Sequence, residues 1–216
     1  MVRFVVMASG QATRMGQDKL ILPWKDSTVL GYVLKVILQS LEATRSGAKL
    51  NCISEVAEPP AEVWVVARKP MRDYGISANW SAGDRYKGVW INQPALRPLA
   101  ETISLGLADL PEGILGICFV PGDQVGLEPQ KLGELTQCFL EKQPDFLVPQ
   151  VENVGINASP VFFHRRYLEE LRSLQGEQGG RAILQRYPQR WLSYSVPAEF
   201  MEDVDTLEDY QRLRAL

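Results

Sequence analysis

The sequence predicts an α/β protein with a doubly wound, mostly parallel sheet flanked by helices, on three observations. Apolar runs rich in β-branched residues recur along the chain, they are continuous rather than alternating, and segments of helical spacing lie between them. An alternating strand has one wet face, whereas an unbroken apolar run suits burial on both faces, as a parallel sheet covered by helices requires. At 216 residues the chain suffices for one α/β domain with a sizeable core. No linker sets off a second, so one domain over 1–216 is expected.

The first strand is read at 2–8, Val2 to Ala8. It is too short for the core of an export signal and runs straight into Gly10 and Arg14. Further strands are expected at 63–67, 88–92, 114–120 and 146–148. Val29, Val33, Val36, Ile37 and Leu41 share one face of a helix that Ser27 or Thr28 can cap. Leu99, Ile103, Leu107 and Leu110 repeat the pattern, and Pro111 with Gly113 stops it. Helices are also expected at 127–140 and 167–174, and loops or insertions at 44–60 and 70–87, where glycine and proline break the pattern.

Composition excludes several classes. Apolar residues make up 45% and charged residues 23%, near the globular average, so the chain is not expected to be disordered. A net charge of −3 argues against a surface that coats nucleic acid. Nothing approaches the ~18 consecutive apolar residues of a membrane-spanning helix. Cys52, Cys118 and Cys138 are scattered and form no C-x-x-C pair, which suits a reducing cytosol and a cytoplasmic protein. Cys118, in an apolar run, reads as a small core residue.

The strongest chemical signal follows the first strand: Met7-Ala8-Ser9-Gly10-Gln11-Ala12-Thr13-Arg14-Met15-Gly16-Gln17-Asp18-Lys19, then Leu20-Ile21-Leu22-Pro23-Trp24. Small residues at Ala8, Ser9, Gly10, Ala12 and Gly16 let backbone N–H groups approach a polyphosphate, and Arg14 and Lys19 supply positive charge. A tight surface turn with two solvated cations is the plainer alternative; the loop's position directly after a buried strand favours phosphate binding. Asp123 follows the 114–120 strand, where such folds place their ligands, or it makes an Asx turn after Gly122. Asp203 and Asp205 are two apart, so in extended chain they point one way while Val204 points inward. They read as metal ligands or as caps of a final helix. His164 lacks a partner at metal-ligand spacing and reads as a surface residue at a helix start, with Arg165 and Arg166 on a solvated face. Arg181 is within reach of the site in this reading, or a cation at a helix start.

These segments resemble the molybdenum cofactor cytidylyltransferases, within the MobA-like NTP transferase superfamily. Their loop motif is Leu-Ala-Ala-Gly-x-Ser-x-Arg-Met-Gly-x-x-Lys-x-x-Leu-Pro-Trp, matched at Gly10, Arg14, Met15, Gly16, Lys19, Leu22, Pro23 and Trp24. Pro121-Gly122-Asp123-Gln124 is similar to the family's Gly-Asp-x-Pro. Gly176 to Leu184, with Gly179-Gly180-Arg181, is similar to Gly-Asp-x-Gly-Ala-Arg-x-Leu-Leu, and Asp203-Val204-Asp205-Thr206-Leu207-Glu208-Asp209-Tyr210 to Asp-Ile-Asp-Thr-Pro-Glu-Asp-Tyr. The resemblance implies a Rossmann-like fold of the nucleotide-diphospho-sugar transferase type. It implies Mg²⁺-dependent transfer of CMP from CTP to the phosphate of a molybdopterin-type acceptor, with release of pyrophosphate. Lys19, Arg14 and Asp123 would be catalytic; Ala8, Ser9, Gly10, Arg14, Gly16, Lys19 and Gly122 would hold the nucleotide; Asp123 and Asp205 would share the metal. A molybdoenzyme or its chaperone would be the downstream partner. Ser9 and Ala12 depart from the loop motif, and Ala158-Ser159 and 97–102 depart on the acceptor side. These departures leave room for another NTP, for GTP or a sugar-phosphate acceptor, or for a non-catalytic cofactor-binding accessory protein.

Overall fold

A computed structural model describes residues 1–10, 16–46, 61–81, 86–152, 154–155, 157 and 159–215. The loop residues Gln11, Ala12, Thr13, Arg14 and Met15, together with Cys52, Ala158 and most of the 44–60 insertion, lie outside the described residues. In chain order the strands are β1 (Val2–Ala8), β2 (Pro23–Trp24), β3 (Ser27–Thr28), β4 (Ala61–Ala67), β5 (Tyr86–Asn92), β6 (Gly116–Pro121), β7 (Phe146–Val151), β8 (Val161–His164) and β9 (Trp191–Val196). The α-helices are α1 (Val29–Ser46), α2 (Leu99–Gly106), α3 (Pro129–Lys142), α4 (Leu168–Arg172), α5 (Gly180–Leu184) and α6 (Leu207–Arg214).

Among the described residues one seven-stranded sheet runs β5-β4-β1-β6-β8-β7-β9, and β2 and β3 form a small separate ribbon. β1, β4, β5 and β6 are mutually parallel, as are β7 and β9, and β8 runs antiparallel between β6 and β7. The chain leaves β1 in one direction to β4 and β5 and later returns on its other side as β6. Such an order reversal opens a crevice at the carboxyl ends of β1 and β6, the usual ligand position in open α/β sheets.

The expected doubly wound, mostly parallel sheet is thus present, and its strand interiors follow the unbroken apolar runs. Val2, Phe4, Val5 and Val6 are fully buried, as are Val63, Val65 and Val66, because the sheet is covered on both faces. One face packs α1, α3 and α6 residues such as Ile37, Leu135 and Tyr210; the other packs α2, α4 and α5 residues such as Ile103, Leu171 and Ile183. Cys118 is fully buried, as expected, and burial pushes its thiol pKa well up.

Element ends differ from the periodicity reading in ways that local chemistry explains. Thr28 caps α1, its Oγ1 accepting from Gly31 N at 3.1 Å, and the helix continues through residues 44–46, which the sequence reading left in the loop. α2 stops at Gly106, short of Leu110, because Asp109 adopts a left-handed φ of 46° before Pro111. The 70–87 segment holds two short 3₁₀ turns, Met71–Tyr74 and Ala78–Ser81, and Gly75 ends the first with φ 68°. Among the described residues no helix is long and apolar enough to cross a membrane.

Candidate active site

The crevice is assembled from four segments. Ala8 ends β1, and Ser9 and Gly10 continue past it. Gly16, with φ 66°, adopts the left-handed backbone that glycine tolerates best. A 3₁₀ turn, Lys19–Ile21, follows; Asp18 caps it, its carboxylate accepting from Leu20 N at 3.1 Å. Asp18 is itself held by Lys69 at 3.0 Å, just beyond β4. Lys19 therefore leaves a backbone fixed from two sides.

Asp123 enters from the end of β6. Gly122 lets the two chains approach closely: its N–H donates to Met7 O at 3.1 Å, and a Cβ there would lie only 3.1 Å from that oxygen. The Gly122 N–H is thus committed within the fold.

Asp203 and Asp205 arrive from far downstream. Gly126 N donates to Glu202 O at 2.8 Å and Val204 N to Asp123 O at 3.1 Å, which docks the C-terminal segment on the turn after β6. Val204 is fully buried between the two aspartates, the inward direction read from the spacing. Capping of the final helix falls to Thr206, whose Oγ1 accepts from Asp209 N at 3.1 Å while Asp209 Oδ2 accepts from Thr206 N at 3.0 Å. That capping box leaves Asp205 to the crevice.

Three of these segments, those of Lys19, Asp123 and Asp205, converge on one ammonium. Lys19 Nζ contacts Asp123 Oδ2 and lies 2.7 Å from Asp205 Oδ1. Burial alone would lower the Lys19 pKa, but the two carboxylates outweigh it and raise the pKa overall. Asp203 keeps an exposed edge, yet its carboxyl is pushed up to about 6 by burial and by the nearby charges of Asp205 and Asp123. The native state therefore holds this proton more tightly than an unfolded chain with the ordinary value of 3.8, so ionised Asp203 opposes folding above about pH 6 and is relieved as pH falls toward 4. Asp203→Asn is expected to raise Tm by a few degrees at pH 7.5 in EDTA (~1 kcal/mol after solvent screening), with the gain gone near pH 4. Calorimetry at both pH values checks this.

Two chambers border the β1 and β6 strands and share Met7 and Leu99. One, of about 680 Å³, lies over Ser9, Gly10, Pro98 and Thr102; Ser9 Oγ and Thr102 Oγ1 are hydrogen-bonded at 2.8 Å. The other, of about 560 Å³, is walled by Ile103, Phe119, Phe163 and Trp191, with Asn157, Ser159, Arg181 and Gln185 as its polar side chains. The structure thus divides what the sequence placed on one side: Ser159 borders the apolar chamber, while Arg97, Pro98 and Thr102 border the chamber over Ser9.

Other singled-out residues lie elsewhere. His164 pairs in register with Gly116 at the start of β6, on the edge of the sheet opposite Asp123. Its Nδ1 accepts from Arg166 N at 3.2 Å and caps a 3₁₀ turn, which fits the expected helix-start role. Arg166 pairs with Asp145 at 2.7 Å on that same edge. Trp24 is core, 5% exposed, packed against Tyr32 and Tyr210. Sequence reading missed Lys69 and the Ser9–Thr102 pair; a cation or a hydroxyl just outside a predicted strand or helix was their only signal.

A mostly parallel sheet with its switch point between a small-residue loop and Asp123 is the architecture of a ligand-binding α/β protein of the doubly wound class. The MobA-like NTP transferase domain matches residues 4–191, and the chain belongs to that family. It is 26% identical to the purine catabolism protein PucB of Bacillus subtilis, over 97% of this chain and 94% of PucB. Among solved structures it is similar to Rv0371c of Mycobacterium tuberculosis, with TM-score 0.70 at 23% identity, covering 100% of this chain and 98% of that one. Rv0371c has also been crystallised with manganese, a structure at TM-score 0.65 and 23% identity that covers 99% of this chain and 98% of that one. A nucleotidyl transferase of Methanothermobacter gives TM-score 0.64 at 21% identity, covering 100% and 96%.

The donor set suits a hard divalent cation. Two carboxylates that contact one ammonium are close enough to bracket an ion with oxygen bonds of about 2.0–2.1 Å after a small movement. Among the described residues no three His, Cys, Asp or Glu side chains gather tightly enough to hold a metal alone. Such an ion would complete its shell with phosphate oxygens and water, the usual arrangement for Mg²⁺.

Proposed function

We propose that this chain transfers CMP from CTP to the terminal phosphate of a molybdopterin-type acceptor and releases pyrophosphate. The observation that carries the reading is the meeting of Lys19, Asp123 and Asp205 at the switch point. Ala8, Ser9, Gly10 and Gly16 would place the triphosphate, and Arg14 belongs to the same proposed set. Asp123 and Asp205 would hold a divalent cation, which when bound would offset negative charge on the triphosphate. The manganese in the Rv0371c structure supports a metal of this kind.

The chain's own task is to bring two anions together. Lys19 would turn toward the α-phosphoryl group and offset charge there while the acceptor phosphate oxygen attacks phosphorus in line. The bond from the α-phosphorus to its bridging oxygen breaks, and pyrophosphate leaves with the electron pair. The acceptor phosphate is already ionised near neutral pH, so no side chain has to remove a proton from it. Phe119, Phe163 and Trp191 favour an acceptor with a flat ring system over a sugar, and Arg181 on the same wall suits its anionic end.

The test is pyrophosphate release from CTP, GTP, ATP and UTP, each with a molybdopterin acceptor or a sugar phosphate, in Mg²⁺ or EDTA. CTP with the pterin and Mg²⁺ is expected to be fastest by at least tenfold, consistent with loss of one base-specific hydrogen bond in the others. Faster turnover with GTP or a sugar phosphate would move the chain to a sister reaction. Metal-dependent CTP binding with no turnover on any acceptor would make it a cofactor-binding accessory protein.

A further inference from the structure

Lys19 does more in this structure than face a future phosphate. Its ammonium is the shared counter-ion of two carboxylates, only 16% exposed and in contact with Asp123, itself 17% exposed, while Asp205 is 46% exposed. Asp203 adds a third acidic group whose field reaches both. Without a cation among them, acidic side chains this close repel each other. Lys19 supplies that cation, and its anchored backbone in the Asp18-capped turn keeps the head group within reach.

The same carboxylate oxygens would serve a divalent ion. The two cations compete: an ion between Asp123 and Asp205 breaks both Lys19 ion pairs and brings two positive charges face to face. A triphosphate changes the balance, because it offers the long, flexible lysine side chain a new set of anionic oxygens beside the loop. We propose that Lys19 is an internal counter-ion that holds Asp123 and Asp205 closed to a free divalent cation until a triphosphate draws its ammonium away, so that metal and nucleotide bind as a linked pair. This inference rests on the proposed role of the two aspartates. Linkage makes it reciprocal: the nucleotide tightens the metal by the factor with which the metal tightens the nucleotide.

The experiment is Mn²⁺ titration followed by the electron paramagnetic resonance of the free ion, first without nucleotide and then with CTP. Wild type is compared with Lys19→Met and Lys19→Gln, each also combined with Asp123→Asn, and folding is checked by circular dichroism. Without CTP both Lys19 variants are expected to bind Mn²⁺ about tenfold tighter than wild type, as loss of a competing partly screened charge predicts. CTP is expected to tighten Mn²⁺ in wild type but much less in the variants. Equal or weaker Mn²⁺ binding by the Lys19 variants, still abolished by Asp123→Asn, overturns the counter-ion role and leaves the metal site standing. Mn²⁺ binding that survives Asp123→Asn in every background overturns both, because the ion then sits elsewhere.

Discussion

Asp123→Asn is expected to lower pyrophosphate release by about 10²–10³-fold, the usual cost of removing one well-placed charged group from a site that stabilises developing charge. The change keeps the volume of the side chain and the backbone bond from Val204 N to Asp123 O, so the turn after β6 stays docked on the C-terminal segment. It removes one of the two carboxylates that contact Lys19 while Asp205 remains, so Tm should move little. Lys19→Ala is expected to lose a similar factor for the complementary reason: the α-phosphoryl group loses its cation. Initial rates at saturating nucleotide, with Tm beside them, separate a chemical loss from unfolding. Wild-type rates in both variants would falsify the enzymatic reading.

The largest expected effect on stability lies at the opposite end of β1. Arg3 is fully buried in the first strand. Its guanidinium donates to Glu62 on β4, with Nε 2.8 Å from Oε2, and to Gly106 O at 3.2 Å, Asp109 O at 2.9 Å and Ala108 O. It also stacks 3.9 Å over the Trp64 ring. One side chain thus ties two strands to the carbonyls that end α2. Arg3→Met keeps the length but strands Glu62, 3% exposed, with Lys87 as its one remaining cation among the described residues, at 3.9 Å.

Breaking a buried pair from one side costs about 3–5 kcal/mol, so Tm should fall by roughly 10 °C or more. Arg3→Met combined with Glu62→Gln is expected to recover a substantial part, since no lone buried charge remains. Turnover at 20 °C should be unchanged, because the seven-residue strand puts about 20 Å between Arg3 and the crevice. Thermal melts of the three proteins, read with their rates, check both statements.

Arg3 also shows where sequence reading stops. Its place inside an apolar strand is visible, but its partners are 59 to 106 residues away. β8 and β9 escaped for a different reason. β8 is four residues long and antiparallel, and β9 is an edge strand whose Ser193 and Ser195 face solvent. A search for unbroken apolar runs selects strands covered on both faces and passes over one broken by exposed serines.

The sequence by itself determined the central sheet, the Thr28 cap of α1, the small-residue loop after β1 and the inward turn of Val204 between two aspartates. Those features depend on residues within a few positions of one another, where periodicity and local hydrogen bonding act. The tertiary structure alone decided that Asp205 reaches Lys19 across 186 positions of chain. It also set two chambers on either side of Met7 and Leu99. Charge convergence of that kind is a property of how distant strand ends pack, and no local spacing encodes it.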